Sequence, residues 1–224
     1  MVETVGSNPA WSTMTIKVLV FDLDGTLVDS KTSWKTAVYK VLRKNGYAVS
    51  KQKVEKDIGQ KRLTGLLFDY KVKEMDRLTD EIIGMACKLL QQSKPAHGID
   101  VVKKLRLRYP VCMLTNSTRS FTEPILKRLG TNFDTLLFGD EVLNKIEGFK
   151  AVAKEFKIKP AEMLYIADML HDAENCRKFG CRCVLISACS FDKKKLLKMK
   201  SAKNAKNPDI LSDLSKLSDY LNNL

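Results

Sequence analysis

The stretch VLVFDLDGTLVDS, Val18 to Ser30, places two aspartates at the end of an apolar run. Asp22 and Asp24 are two residues apart, so on an extended chain their side chains point to the same side. Two neighbouring carboxylates repel each other unless a cation or a shared proton relieves the repulsion. Asp-Gly is also an ordinary turn sequence. We interpret the pair as part of a functional site at the end of a buried strand.

Apolar runs alternate with helical patterns along the rest of the chain. Strands are predicted at 16–22, 111–115, 135–139, 163–167 and 182–187, and helices between the later strands at 122–130, 147–156 and 172–180. Continuous apolar strands are typical of a parallel sheet covered on both faces. The alternation predicts an α/β fold with a doubly wound, mostly parallel sheet.

The segment between the first two predicted strands has no strand signal. It shows helical spacing at 34–46, 60–70 and 78–92, and a further helix is predicted at 98–110. We expect a core domain over 14–30 and 95–224 and a small helical cap over 31–94, with Trp34 and Phe68 in the core of the cap. Residues 1–13 lack periodicity, so we expect them to be a non-native leader and translation to begin at Met14.

Composition narrows the class of protein. The 224 residues carry a formal net charge of +13. No apolar run approaches the ~20 residues of a membrane span, and none has the order of a secretory signal, so a cytoplasmic protein is expected. Six cysteines without a CxxC pair favour reduced core residues over a zinc site. The lysine-rich segment 193–206 indicates a solvated helix or loop, or a surface for polyanions.

Polar residues follow each of the first four predicted strands. They are Asp22, Asp24 and Thr26; Thr115, Asn116 and Ser117; Asp140 and Lys145; and Asp168 and Asp172. Ligands of open parallel sheets bind beyond the carboxyl ends of the strands, so we expect these groups to converge. Carboxylates hold Mg²⁺ or act as nucleophiles, and a lysine or hydroxyl stabilises phosphoryl oxygens. Ser117 could instead cap the following helix, and Asp172 lies where a first helical turn favours an acid.

These motifs resemble those of the haloacid dehalogenase superfamily, on its phosphatase side. DxDGT is complete from Asp22 to Thr26, Thr115 ends the second motif, Lys145 best matches the third, and Asp168 and Asp172 match DxxxD. The helical insert resembles the cap of the phosphoglycolate-phosphatase-like subgroup. Three positions depart from the family pattern: Ala167, Met169 and Ile146. Because Ile146 replaces the usual proline, Lys150 is kept as the alternative lysine.

The resemblance implies a role for each residue. Asp22 would be the nucleophile, and Asp24 the general acid and base. Asp22, the backbone carbonyl of Asp24, Asp168 and Asp172 would bind Mg²⁺. Thr26, Thr115 and the amide of Asn116 would bind phosphate, and Lys145 would neutralise charge. Within the cap, Gly59 would bend a loop that brings Lys61 and Arg62 to the substrate.

The expected function is therefore hydrolysis of small phosphorylated metabolites by a Mg²⁺-dependent phosphatase, through an aspartyl-phosphate. Phosphoglycolate is the first candidate substrate, by resemblance. A phosphomutase that reuses Asp22 as a phosphate carrier is an alternative, and a nucleic-acid-binding protein using 193–206 is another. We expect a monomer or homodimer without membrane association.

Overall fold

The computed structural model describes residues 15–58, 63–92, 95–201 and 208–224. The predictions for the leader, for Gly59, Lys61 and Arg62, and for the end of the lysine-rich segment lie outside these residues. The part of that segment within them forms a helix over Lys193–Ser201. In the parts of the chain that are described, no helix is long and apolar enough to cross a membrane.

A six-stranded parallel sheet with the order β3-β2-β1-β4-β5-β6 forms the centre of the described chain. Its strands are β1 (Val18–Phe21), β2 (Val111–Leu114), β3 (Thr135–Leu137), β4 (Met163–Ala167), β5 (Arg182–Ile186) and β6 (Asp209–Leu211). The predicted α/β class is thus confirmed, and the five predicted strands are present, the fourth with the predicted bounds and the other four slightly shorter. β6 was missed because it is three residues long and only Ile210 is buried.

Helices cover both faces of the sheet. They are α5 (Asp100–Leu105), α6 (Arg119–Leu129), α7 (Lys145–Glu155), α8 (Leu170–Phe179), α9 (Lys193–Ser201) and α10 (Leu217–Asn222). Alternate residues of one strand enter opposite cores: Leu19 and Phe21 pack in one hydrophobic cluster, Val18 and Val20 in the other. Burial on both faces explains why the strands read as unbroken apolar runs.

Four helices of the described chain lie between β1 and α5 in the sequence. They are α1 (Lys31–Lys44), α2 (Lys51–Asp57), α3 (Leu63–Asp69) and α4 (Met75–Leu90). They enclose a hydrophobic cluster that includes Val38, Leu42, Leu78 and Ile82. The boundary of a separate cap domain remains a prediction. The short helix α2 was missed; the Ser50 hydroxyl caps it by accepting from the Lys53 amide.

Phe68 differs from the prediction that it fills the core of the cap, whereas Trp34 packs, partly buried, against the hydrophobic cluster of the insert and also against a cluster of the sheet. Phe68 is 75% exposed, because α3 turns its buried side, Leu66 and Leu67, toward the cluster. Trp34 stacks on Phe121 of α6, with ring centroids 5.6 Å apart. Trp34 therefore joins the helical insert to the sheet.

Candidate active site

The central strands bring the predicted acidic residues to one edge of the sheet. Asp22 follows β1 and Asp168 follows the neighbouring β4, and both are buried. The Asp22 amide donates to the Ile166 carbonyl of β4 at 2.8 Å, which continues the parallel pairing to the strand ends. Asp172 comes from the first turn of α8, as predicted, and is 1% exposed. Strand order thus places Asp22 and Asp168 side by side, and α8 brings Asp172 to them.

Gly25 permits the close approach of β1's end to Asp168. Its φ of 76° lies in the left-handed region, which favours glycine. A Cβ at this position would lie 2.3 Å from Asp168 Oδ2. No side chain fits there without moving Asp168, so the glycine is needed for both conformation and space.

The three buried carboxylates form a potential cation site. Asp22, Asp168 and Asp172 each offer an oxygen, and these oxygens lie within 4.8 Å of one another. Among the residues described, Asp168 Oδ1 and Asp172 Oδ1 accept no hydrogen bond. Burial and the neighbouring carboxylates raise the pKa of Asp168 well above its usual range. An all-oxygen donor set with excess negative charge fits a hard divalent cation.

Asp172 shows the same electrostatic imbalance. Burial raises its pKa to about 6, Lys145 opposes that rise, and Asp22 adds to it. One buried lysine therefore faces three buried acids. A divalent cation would relieve the repulsion that Lys145 leaves.

Lys145 is the first residue of α7 and reaches Asp22, the predicted nucleophile. Its Nζ donates to Asp22 Oδ1 at 2.5 Å, to the Leu114 carbonyl at 2.8 Å and to the hydroxyl of Tyr165. Burial lowers the pKa of Lys145, but Asp22, Asp172 and Asp168 outweigh burial and raise it, so the amine stays charged. Gly148 allows α7 to pack closely on β2, because a Cβ at this position would lie 2.4 Å from the Leu114 side chain.

The alternative lysine points elsewhere. Lys150 lies in α7 and pairs with Glu147 at 2.9 Å, with 59% of its side chain exposed. Of the two lysines, only Lys145 contacts Asp22 in the structure.

Asp24 has different surroundings from Asp22. Ser117 Oγ donates to Asp24 Oδ2 at 2.8 Å, whereas Oδ1 is buried and accepts no hydrogen bond from the described residues. Burial raises the pKa of Asp24, and repulsion from Asp22 adds to that rise. The side chains of Ser30, Ser117 and Trp34 lower it in part. A carboxyl group with a raised pKa and one free oxygen is suited to carry a proton.

The loop after β2 holds two of the predicted phosphate-binding residues, Thr115 and Asn116, and Thr26 follows β1. Thr115 is buried, and its Oγ1 accepts from the Ser117 amide at 3.1 Å, which leaves the threonine proton available as a donor. Asn116 is exposed, whereas Thr26 is fully buried with no partner for its hydroxyl in the described chain. A Cβ on Gly139 would lie 2.1 Å from the Asn116 carbonyl oxygen, so this glycine lets the loop after β3 approach.

The structure contradicts two expectations for the ends of β2 and β3: the alternative that Ser117 caps α6, and the convergence of Asp140 with the other carboxylates. Ser117 does not cap α6, because its hydroxyl bonds Asp24 and the N-cap residue is Thr118. Asp140 does not join the other carboxylates; its Oδ1 accepts from the Arg119 amide at the start of α6, at 3.0 Å. Asp140 thus satisfies the helix terminus that Ser117 was expected to cap.

The loop after β5 was missed as part of the site. Ser190 Oγ donates to the Asp168 carbonyl at 2.5 Å, and the Phe191 amide donates to Asp168 Oδ2 at 3.0 Å. Phe191 also packs against the cluster of the helical insert. Inspecting the end of the fifth strand, as for the other four, would have found this loop.

The departures at Ala167 and Met169 are accommodated. Ala167 ends β4 and is fully buried. Met169 precedes α8 and cannot cap it, but Asp192 Oδ2 from the loop after β5 accepts from the Leu170 amide at 3.3 Å. The helix that carries Asp172 is therefore capped by a residue distant in sequence.

Known proteins share this sequence pattern and fold. Residues 19–186 match the haloacid dehalogenase-like hydrolase family. A phosphoglycolate phosphatase from Photorhabdus laumondii is 25% identical, covering 75% of this chain and 79% of that protein. An N-acetylmuramic acid 6-phosphate phosphatase from Pseudomonas aeruginosa is 27% identical over 75% of this chain and 80% of its own.

A solved structure carries the likeness over nearly the whole fold. A haloacid dehalogenase-like hydrolase from Streptococcus pneumoniae superimposes with a TM-score of 0.76 at 20% identity, covering 92% of this chain and 98% of that one. At this identity the likeness shows the shared fold.

Proposed function

Because the chain belongs to the haloacid dehalogenase-like hydrolase family and lies among its phosphatases, we propose that it is a Mg²⁺-dependent phosphatase of small phosphorylated metabolites that acts through an aspartyl-phosphate. The observation that carries this proposal is the contact between Lys145 and Asp22 beside two further buried carboxylates. It joins a nucleophile, a fixed positive charge and a cation site at one strand end.

Asp22 would attack phosphorus, displacing the alcohol and forming the aspartyl-phosphate. Lys145 holds Asp22 Oδ1 and keeps its charge, so it would offset negative charge on the nucleophile and the phosphoryl oxygens. The free proton of the Thr115 hydroxyl would donate to a phosphoryl oxygen, together with the Asn116 amide.

Asp22, Asp168, Asp172 and the backbone carbonyl of Asp24 would hold Mg²⁺. When bound, the cation would supply neutralisation of the charge gathered by the carboxylates and the phosphoryl group. The Phe191 amide and the Ser190 hydroxyl fix Asp168, so its free Oδ1 is oriented before any ion arrives.

Asp24 would transfer the protons of both steps. It would give a proton to the leaving alcohol as the P–O bond breaks. It would then take one from the water that attacks the aspartyl-phosphate, which regenerates Asp22 and releases phosphate. Its raised pKa favours the protonated form that the first step needs.

The substrate is proposed from the relatives. Phosphoglycolate is the first candidate because one relative is a phosphoglycolate phosphatase. Other phosphorylated metabolites are further candidates because another relative is an N-acetylmuramic acid 6-phosphate phosphatase. Gly59, Lys61 and Arg62 remain the predicted cap contacts. The cytoplasmic location and a monomeric or homodimeric state also remain predictions.

Phosphate release from a panel of phosphorylated metabolites, with Mg²⁺ and with EDTA, tests the proposal. We expect Mg²⁺-dependent release that is strongest on one compound and is lost in D22N. D80N is a matched control, because Asp80 is an exposed aspartate of α4. Turnover that persists in EDTA or in D22N would contradict the proposal.

A further inference from the structure

Ser117 contacts Asp24 across a long stretch of sequence. The Ser117 hydroxyl donates to Asp24 Oδ2 at 2.8 Å, and the two residues are 93 positions apart. Asp24 Oδ1 is buried and has no hydrogen-bond partner within the described residues. The two oxygens of one carboxylate are thus unequal: one is held by a donor and the other is free.

The backbone of Ser117 is fixed on both sides. Its amide donates to Thr115 Oγ1 at 3.1 Å, and its carbonyl accepts from the Gly139 amide at 2.9 Å. Because both backbone groups are bonded, the main chain of Ser117 is held in place, which keeps its hydroxyl within reach of Asp24. The loops after β2 and β3 therefore form a rigid support for this hydrogen bond.

The hydrogen bond from Ser117 to Oδ2 determines which oxygen of Asp24 carries the transferable proton. The Ser117 hydroxyl stabilises Oδ2 as an acceptor, so a proton on that oxygen would compete with the serine donor. Oδ1 has no such competitor among the residues described. Ser30 and Trp34 lie near the same carboxylate, but neither makes a hydrogen bond to Oδ1.

We propose that Ser117 is a positioning residue that fixes Asp24 Oδ2 and thereby assigns proton transfer to Asp24 Oδ1. This inference rests on the proposed phosphatase function. In the first step the proton leaves Oδ1 for the leaving-group oxygen while the P–O bond electrons pass to that oxygen. In the second step Oδ1 takes a proton from the attacking water, which restores the starting state.

The test compares leaving groups in wild type, S117A and S117T. An alkyl phosphate needs its leaving oxygen protonated, whereas p-nitrophenyl phosphate releases a stable phenolate without a proton. The value of kcat/KM reports events up to transfer of the phosphoryl group to Asp22, so it isolates the leaving-group step.

We expect S117A to lower kcat/KM for the alkyl phosphate by about 10- to 100-fold, as for loss of a hydrogen bond to a charged group, and for p-nitrophenyl phosphate by less than about threefold. S117T keeps the hydroxyl and should retain activity on both esters.

In S117A, kcat on p-nitrophenyl phosphate should also fall, because hydrolysis of the aspartyl-phosphate needs Asp24 as a base. S120A is the matched control, since the exposed Ser120 hydroxyl bonds Thr118 and, within the described residues, does not contact Asp24. An equal loss on both esters, or no loss, would overturn the inference.

A double-mutant cycle with D24N gives an independent test. If Ser117 acts through Asp24, S117A should cost nothing further on the alkyl phosphate in the D24N background. Additive losses would overturn the inference. S117C, which preserves volume and donates weakly, should give an intermediate loss and serves if S117A does not fold.

The same measurements separate the two levels of proposal. A wild type without Mg²⁺-dependent turnover of either ester would overturn the phosphatase function and this inference with it. An active wild type whose S117A variant does not discriminate between the esters would overturn only the role of Ser117.

Discussion

The two ends of the candidate site meet negative charge in different ways. At one end, Asp22, Asp168 and Asp172 lie within 4.8 Å of one another and have Lys145 as a neighbouring buried cation. At the other end, Asp24 is held by a neutral donor, Ser117. A cluster of charges with free oxygens is suited to an ion, whereas a single acid with a raised pKa is suited to a proton. Asp22 and Asp24 are only two residues apart, yet the first is suited to binding a cation and the second to carrying a proton.

The largest effect is expected from replacing Asp22, the proposed nucleophile. D22N should reduce turnover by at least about 10⁴-fold, because loss of a nucleophile removes the covalent pathway. D80N should match wild type. Steady-state phosphate release on the best substrate checks both variants, and residual turnover above one part in about 10³ in D22N would argue against Asp22 as the nucleophile.

Gly25 offers a test of the geometry that joins the two ends. G25A should abolish Mg²⁺ binding and turnover, because the added Cβ meets Asp168 Oδ2. Gly46 is the matched control, since its φ is +83° but no atom lies within 4 Å of a Cβ there. G46A should cost only about 1 kcal/mol of unfolding free energy and keep activity. Chemical denaturation and isothermal titration with Mg²⁺ measure the difference, and equal effects would show that backbone strain alone matters.

Removal of one carboxylate tests whether Asp22, Asp168 and Asp172 form a cation site. Saturating Mg²⁺, at about 100 times its dissociation constant, should raise the thermal midpoint of wild type by about 5–10 °C. D172N should remove most of that shift, yet be more stable than wild type without the ion, because it relieves repulsion. D80N should leave both unchanged. A D172N protein that gains as much from Mg²⁺ as wild type would contradict the assignment.

The stability of D172N should also depend on pH differently from that of wild type. The pKa of Asp172 rises from 3.8 to about 6 in the folded state, so the folded protein binds a proton that the unfolded chain releases. In metal-free wild type, stability should therefore fall as pH rises from about 4 to about 6. D172N should show a flatter profile in that window. Urea denaturation in EDTA at several pH values measures it, and parallel profiles would refute the expectation.

The smallest expected effect concerns the helix cap. D192N weakens the acceptor for the Leu170 amide and should cost about 1 kcal/mol of unfolding free energy. M169S offers α8 a local cap, so D192N should cost less in that background. Urea denaturation of the four proteins completes the cycle. Strict additivity would mean that the cap on α8 does not explain the effect of Asp192.

The sequence predicted the site where a group is attached directly to a strand end. Asp22, Thr115 and Asp168 could be placed because parallel strands finish at one edge. Tyr165 was missed because an aromatic residue within β4 looks like ordinary core, although its hydroxyl accepts from Lys145. Ser190 and Phe191 were missed because they act on Asp168 through a loop whose path depends on tertiary packing. The contact of Ser117 with Asp24 was not predicted, because a cap on α6 was an equally simple local use of a serine at that position.

The stacking of Trp34 on Phe121 also gives the protein an optical reporter. The sequence has two tryptophans, Trp11 and Trp34. Trp34 belongs to the helical insert and Phe121 to α6, which packs on the sheet, and their ring planes are 27° apart. A W11F protein would therefore emit from a single indole located between the two parts. Its fluorescence would follow, in real time and without a label, any movement of the insert as Mg²⁺ and substrate enter.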